Sequence, residues 1–251
     1  MEILIYSLAI IYGLIIGSFL NVLILRIPAG ENFVVERSHC TSCGYQLAWY
    51  DMVPVFSYLF LRGKCRKCGE HISMQYPIVE ALNAVLYFCI FYVNGNNYTS
   101  VVYCFVASAL VVISVIDFRT YEIPLGLTIF IAVLGVVATA IDYQHIPTHI
   151  IGMCSVGLVL EVLFIVSGGN WIGGGDATLM MAAGLVLGWQ KITVAFFLAC
   201  ILGSVIHSIR MKVSEVDHVL ALGPYLAMGI YIMMVWGDGI LHWYLGLMGL
   251  A

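Results

Sequence analysis

"MEILIYSLAIIYGLIIGSFLNVLIL" fills residues 1–25 and carries a single charge, at Glu2. As a helix it would rise about 1.5 Å per residue, enough to cross a hydrocarbon layer of about 30 Å. It has no basic n-region and is too long for the apolar core of a signal peptide. It is therefore expected to be retained as a first transmembrane span. The rest of the chain agrees. Of 251 residues, 62% are hydrophobic and 10% are charged, whereas a soluble domain carries about 25% charge. A soluble globular fold is excluded.

Seven further apolar segments follow, at 78–93, 101–116, 123–141, 150–166, 177–187, 192–206 and 219–236. The expected fold is an all-α polytopic membrane protein of about eight transmembrane helices. The segment 177–187 is the shortest and suits a short helix buried among the others. The tail 239–251 is apolar and aromatic, and fits either the interface or the interior.

Orientation follows from the cations, because positive charge collects in short cytoplasmic loops. With the N-terminus outside, Arg26, Arg37, Arg62, Lys64, Arg66, Lys67, Arg119, Arg210 and Lys212 all fall inside. Only Lys191 falls outside.

One sizeable hydrophilic segment exists, at 26–76. Three regions are expected: a first span at 1–25, a small cytoplasmic zinc-binding domain at 26–76, and a helix bundle at 77–251. The loop holds Cys40-x-x-Cys43 and Cys65-x-x-Cys68, each pair followed by a glycine, Gly44 and Gly69. Four thiolates at this spacing surround one Zn²⁺ tetrahedrally. Two disulfides are the competing reading, but a cytoplasmic loop keeps its thiols reduced. His39 and His71 flank the pairs and could substitute as ligands. Cys89, Cys104, Cys154 and Cys200 lie within spans, where free cysteine acts as a small hydrophobe.

Acidic groups at membrane depth are functional hypotheses by default. Asp117 ends the third segment in "SVIDFRTYEIP", and Asp176 precedes the sixth in "GGGDATL". Two crossings separate them, so both belong at the same membrane face, although they are 59 positions apart in sequence. Two carboxylates sharing a site can divide the labour of peptide hydrolysis, one holding a proton while the other activates water. The glycines before Asp176 allow close backbone approach and irregular conformations. Other readings stay open on spacing alone. Asp176 could N-cap the sixth helix, Asp117 could be an ordinary interfacial acid, and an acid pair could serve a proton-coupled transporter, to which Glu161 inside the fifth segment would add. Glu80 and Asn83 are placed to pair across helices.

The ordered set of motifs resembles the type IV prepilin peptidases of bacterial pilus, competence and type II secretion systems. "GSFLNVLILRIP" at 17–28, the four-cysteine segment, "YPIVE" at 76–80, "IDFRTYEIP", "GGGD" and "GPYLAMG" at 223–229 follow one another as in that family. The resemblance implies an aspartic endopeptidase of the bacterial inner membrane that cuts a basic leader from prepilin-like precursors, after glycine, at the cytoplasmic face. It implies Asp117 and Asp176 as the catalytic pair, and Cys40, Cys43, Cys65 and Cys68 as zinc ligands. It further implies methylation of the new N-terminus with S-adenosylmethionine as donor. The partners it implies are prepilin-like substrates and the lipid bilayer, with no nucleic acid. Two positions depart from the family pattern. Thr178 stands where lysine is frequent, and Leu125 follows Pro124 where Asp or Asn is frequent.

Overall fold

The computed structural model describes residues 2–32, 38–213, 220–247 and 249. Arg37, Val219, Met248, Leu250 and Ala251, and the side chains of Arg210 and Lys212, lie outside the described residues. The all-α expectation is met: the described residues form helices, and their only β pairing is two isolated bridges, His39 with Gln46 and Lys64 with His71. Six helices are long and apolar enough to cross a membrane, and two more apolar helices are shorter. The chain divides into two compact units, Met1–Asn96 and Asn97–Ala251.

The first unit is built on α1 (Glu2–Ala29) and α3 (Gln75–Asn94). Small residues let them touch backbone to backbone. A Cβ at Gly13 would stand 2.6 Å from the Ala84 Cα, and one at Gly17 2.7 Å from the Glu80 Cα. Close approach of this kind is how helices associate in lipid. Polar side chains then join them. Asn83 Nδ2 donates to the Gly13 carbonyl at 2.8 Å, and Asn21 Nδ2 to the Tyr76 carbonyl at 3.2 Å. Asn83 thus pairs across helices as its position suggested. Glu80 likewise pairs with Ser18 of α1, and it also accepts the Val55 N–H at 2.7 Å, which ties the connecting loop and its short α2 (Phe56–Phe60) to α3.

The second unit contains α4 (Tyr98–Thr120), α5 (Leu125–Ile141), α6 (Ile146–Ser155), α7 (Gly157–Ser167), α8 (Gly174–Leu187), α9 (Trp189–Val213) and α10 (Gly223–Leu247). The Asn97 side chain caps α4 by accepting the Ser100 N–H at 2.7 Å. Helix α8 has 14 residues, about 21 Å at 1.5 Å per residue, too short to span alone. It lies at the centre of the unit, with Leu179, Met180 and Ala183 fully buried, and packs on α5, α6, α7, α9 and α10.

Two segments differ from their sequence reading. The fifth breaks at Val156 into α6 and α7. Both pieces close on α8 through glycines: a Cβ at Gly152 would strike the Gly184 carbonyl, and one at Gly157 the Met181 side chain. The tail residues 239–247 simply extend α10. There Asp238 pairs with Lys191 at 2.9 Å, which gives the one cation outside the main charge pattern a partner.

Candidate active site and metal centre

Helix α4 ends through Tyr121, which takes the left-handed conformation (φ 57°, ψ 28°) and donates its N–H to the Asp117 carbonyl. Asp117 is therefore in the last turn of α4, and it is 5% exposed. Its Oδ2 accepts the backbone N–H of Gly223 at 2.9 Å. Gly223 opens α10, and Pro224 after it has no N–H to offer. The Gly223 amide is one of the helix-start donors left without an intrahelical acceptor, and Asp117 satisfies it. A Cβ on Gly223 would lie 2.7 Å from that same Oδ2, so the contact requires glycine.

Asp176 comes from the first turn of α8. Gly173 is the N-cap and Asp176 the third helical residue. Its carboxyl folds back toward the Gly173 backbone, with Oδ2 3.1 Å from where a Cβ on Gly173 would stand. Asp176 is thus not the N-cap itself. The two carboxyl groups, from helices far apart in sequence, feel each other's charge.

Of the two roles expected for the glycines before Asp176, close approach holds and irregular backbone does not. None of the three has positive φ, and Gly174 and Gly175 are already helical. They are small because of what they touch. A Cβ on Gly175 would stand 2.8 Å from the Ile123 Cβ, and one on Gly174 3.3 Å from the Phe164 ring. Ile123 lies in the turn just after α4, so Gly175 is the point where the start of α8 packs against the exit of α4. Irregular backbone is not needed; close packing is.

Sequence reading missed Gly223 as a hydrogen-bond donor and Ile123 as a packing partner. The Gly-Pro pair at 223–224, a helix-start signal, could have pointed to the first. Thr178 bonds back to the Gly175 carbonyl at 3.0 Å and brings no charge to Asp176. Glu161 keeps Oε2 buried with no partner.

In the first unit the four cysteines converge. The Sγ atoms of Cys40, Cys43, Cys65 and Cys68 lie within 4.8 Å of one another. Each pair sits in the same tight hairpin. The Cys40 N–H bonds the Tyr45 carbonyl at 2.9 Å and the Gly44 N–H bonds the Cys40 carbonyl at 2.9 Å. The Cys65 N–H bonds the Glu70 carbonyl at 2.8 Å and the Gly69 N–H bonds the Cys65 carbonyl at 3.0 Å. Gly44 (φ 68°) and Gly69 (φ 75°) supply the left-handed turns. Sulfurs bound at about 2.3 Å to a tetrahedral metal are about 3.8 Å apart, and Cys40 Sγ lies 3.8 Å from Cys68 Sγ. The amides of Cys43 and Ser42 point at the Cys40 sulfur and bring its thiol down to about 6, which favours the thiolate a metal needs. All four are free thiols, and the cluster can hold a metal ion. His39 and His71 form the bridges that close the two hairpins.

Residues 11–94 match the bacterial peptidase A24 N-terminal domain, and residues 104–208 match the type IV leader peptidase family. A prepilin leader peptidase/N-methyltransferase of Xanthomonas campestris pv. campestris is 31% identical, over 95% of this chain and 93% of its own length. The chain belongs to the type IV leader peptidase family. Relatives with the same printed name in Aeromonas hydrophila and Bacillus subtilis are each 29% identical; the alignments cover 96% and 95% of this chain and 93% and 97% of those proteins. No solved structure matches the chain. The two matched regions fall one in each compact unit. The cysteine cluster lies in the peptidase A24 N-terminal domain, and Asp117 and Asp176 lie in the type IV leader peptidase region.

Proposed function

We propose that this type IV leader peptidase cuts the basic leader from prepilin-like precursors after glycine, with Asp117 and Asp176 as its catalytic pair. What supports the assignment is that Asp117 at the end of α4 and Asp176 at the start of α8 lie in one unit, near enough for their charges to interact, with Asp117 held by the Gly223 amide. In the cleavage step one carboxylate takes a proton from water as its oxygen attacks the scissile carbonyl carbon. The other carboxyl, protonated, gives its proton to the carbonyl oxygen. As the tetrahedral gem-diol collapses, one hydroxyl gives its proton to the carboxylate of the pair, the C–N bond breaks, and the departing nitrogen takes a proton from the acid of the pair. Neither metal nor covalent intermediate is required.

The enzyme also methylates the new N-terminal amine, as the name of its relatives implies, with S-adenosylmethionine as the donor we assign. The described residues contain no sheet, so the donor's site is not a glycine-rich nucleotide fold. In this reading residues 26–76 are a zinc-binding module whose four cysteines hold a structural Zn²⁺, and the helices of 77–251 carry the protease site. The N-terminus is extracytoplasmic and both aspartates face the cytoplasm of a cell with an inner membrane. The nine cations assigned inside support that orientation.

The test is incubation of the purified enzyme with a prepilin, followed by mass. Asp117→Asn and Asp176→Asn should each abolish cleavage and leave the membrane fold intact. Cleavage near the normal rate in either variant, with background protease excluded, would sink the two-aspartate assignment.

A further inference from the structure

Residues 49–61 of the first unit carry an aromatic surface that the unit does not cover. Trp49 is 77% exposed, Phe60 85%, Leu59 64% and Phe56 56%. Tyr50, Val53, Phe56 and Phe60 also line a groove of about 270 Å³. Contiguous exposed apolar surface of this kind marks an interaction site.

Hydrogen bonds fix its depth. Val55 is held at φ 61°, costly for a β-branched residue, and its N–H is bonded to Glu80 at 2.7 Å. Glu80 is five residues into α3, about 7.5 Å along the helix axis from its start. The Tyr58 hydroxyl reaches Met74 Sδ at 2.9 Å, just before α3 begins. The turn is thus clamped beside the first turns of a helix long and apolar enough to cross a membrane, rather than standing out in water. Exposed Arg62, Lys64 and Lys67 follow it directly in sequence. Aromatic rings at the level of a span's end, bordered by cations, match the chemistry of a lipid headgroup layer.

We propose that this face docks into the anionic headgroup layer of the leaflet at which α1 ends and α3 begins. The rings of Trp49, Phe56 and Phe60 enter the boundary with the acyl chains, and Arg62, Lys64 and Lys67 meet lipid phosphates. This docking does not depend on the catalytic assignment.

The test uses the full chain in nanodiscs of phosphatidylglycerol brominated near the glycerol end of its acyl chains. The emission of the wild type minus that of Trp49→Phe isolates Trp49. Bromolipid should remove most of that emission, and aqueous iodide should leave it bright. Phe60→Trp in the Trp49→Phe background gives a second reporter with the same expected loss. Combining Arg62→Gln, Lys64→Gln and Lys67→Gln should restore emission, and quenching should be weaker in neutral phosphatidylcholine discs. Three outcomes overturn the proposal. One is iodide access without bromolipid quenching. The second is shielding that comes only when a prepilin peptide is added, which makes the face a substrate surface. The third is shielding that grows with the number of chains per disc, which makes it a contact between copies.

Discussion

At the scale of single residues, Gly175 shows how packing and chemistry meet. Alanine favours a helix over glycine by about 1 kcal/mol, so Gly175→Ala would stabilise an isolated α8. Here its Cβ would stand 2.8 Å from the Ile123 Cβ, and neither atom belongs to a flexible side-chain end. Overpacking costs about 1–3 kcal/mol, and relief must come from moving the start of α8 away from the exit of α4. That motion separates Asp176 from Asp117. Gly175→Ala is expected to lose much of its cleavage rate while keeping most of its thermal stability. Gly126→Ala, with nothing within 4 Å of the new Cβ, is the control and should be at least as stable as wild type. Equal cleavage by the two variants would remove Gly175 from the positioning of the site. The sequence offered both aspartates and the glycine run, because residue type and order survive in a string of letters. It could not offer Ile123 or the Gly223 amide, since a backbone donor has no residue-type signature and a packing partner is set by the fold.

At the scale of elements, α8 illustrates what apolar patterning can and cannot report. Eight apolar segments were legible from hydrophobicity, because lipid and buried protein select similar residues. The same property hides the difference between spanning and being buried, so only the shortness of 177–187 hinted that α8 is central. Its far end is fixed by a contact that composition does not reveal. His149 is 7% exposed and lies 2.8 Å through Nδ1 from the Leu185 carbonyl. A carbonyl only accepts, so Nδ1 carries the proton. Leu185 is in the last turn of α8, where carbonyls lack intrahelical partners. Thr139 Oγ1 donates to the Gly135 carbonyl at 2.8 Å and lies 3.4 Å from the Leu185 carbonyl, so its one proton can turn to Leu185 when His149 is gone. His149→Phe removes this bond and the longer 3.4 Å contact of Nε2 with Asp142 Oδ2, and should cost about 1–2 kcal/mol at typical net values, as Thr139 can still serve the carbonyl. Adding Thr139→Val should cost more than the sum of the single changes, because the carbonyl is then unmet. Thermal unfolding of the four proteins in detergent checks this, and strict additivity would refute the shared-acceptor account. The connection between α1 and α3 was legible in another way. The Cys-x-x-Cys-Gly pairs read as knuckles because a metal imposes spacing on sequence, whereas the bond from Val55 to Glu80 imposes none.

At the scale of the whole molecule, the carboxylate site and the cysteine cluster belong to different compact units. The hydrogen-bonding and packing partners described for Asp117 and Asp176, which are Gly173, Gly175, Ile123 and Gly223, all lie within 97–251. Conversely, the cluster is framed by the hairpins of residues 38–47 and 63–72. A structural zinc contributes folding energy to the segment that binds it, and that segment has little core of its own: of the four cysteines only Cys65 is buried. Removal of the metal should therefore be a local event. Cys68→Ser, or a strong chelator on the wild type, is expected to release about one zinc per chain from a four-thiolate site and to raise amide hydrogen exchange across 38–72. Exchange in α4 and α8 should stay unchanged and cleavage should persist, while methyl transfer falls further than cleavage. Following zinc content, exchange and both activities on one preparation separates the possibilities. If cleavage disappears in step with the zinc while α4 and α8 remain protected, the protease site is not self-sufficient within its unit. The metal-bound loop would then be acting on the aspartates or on their substrate.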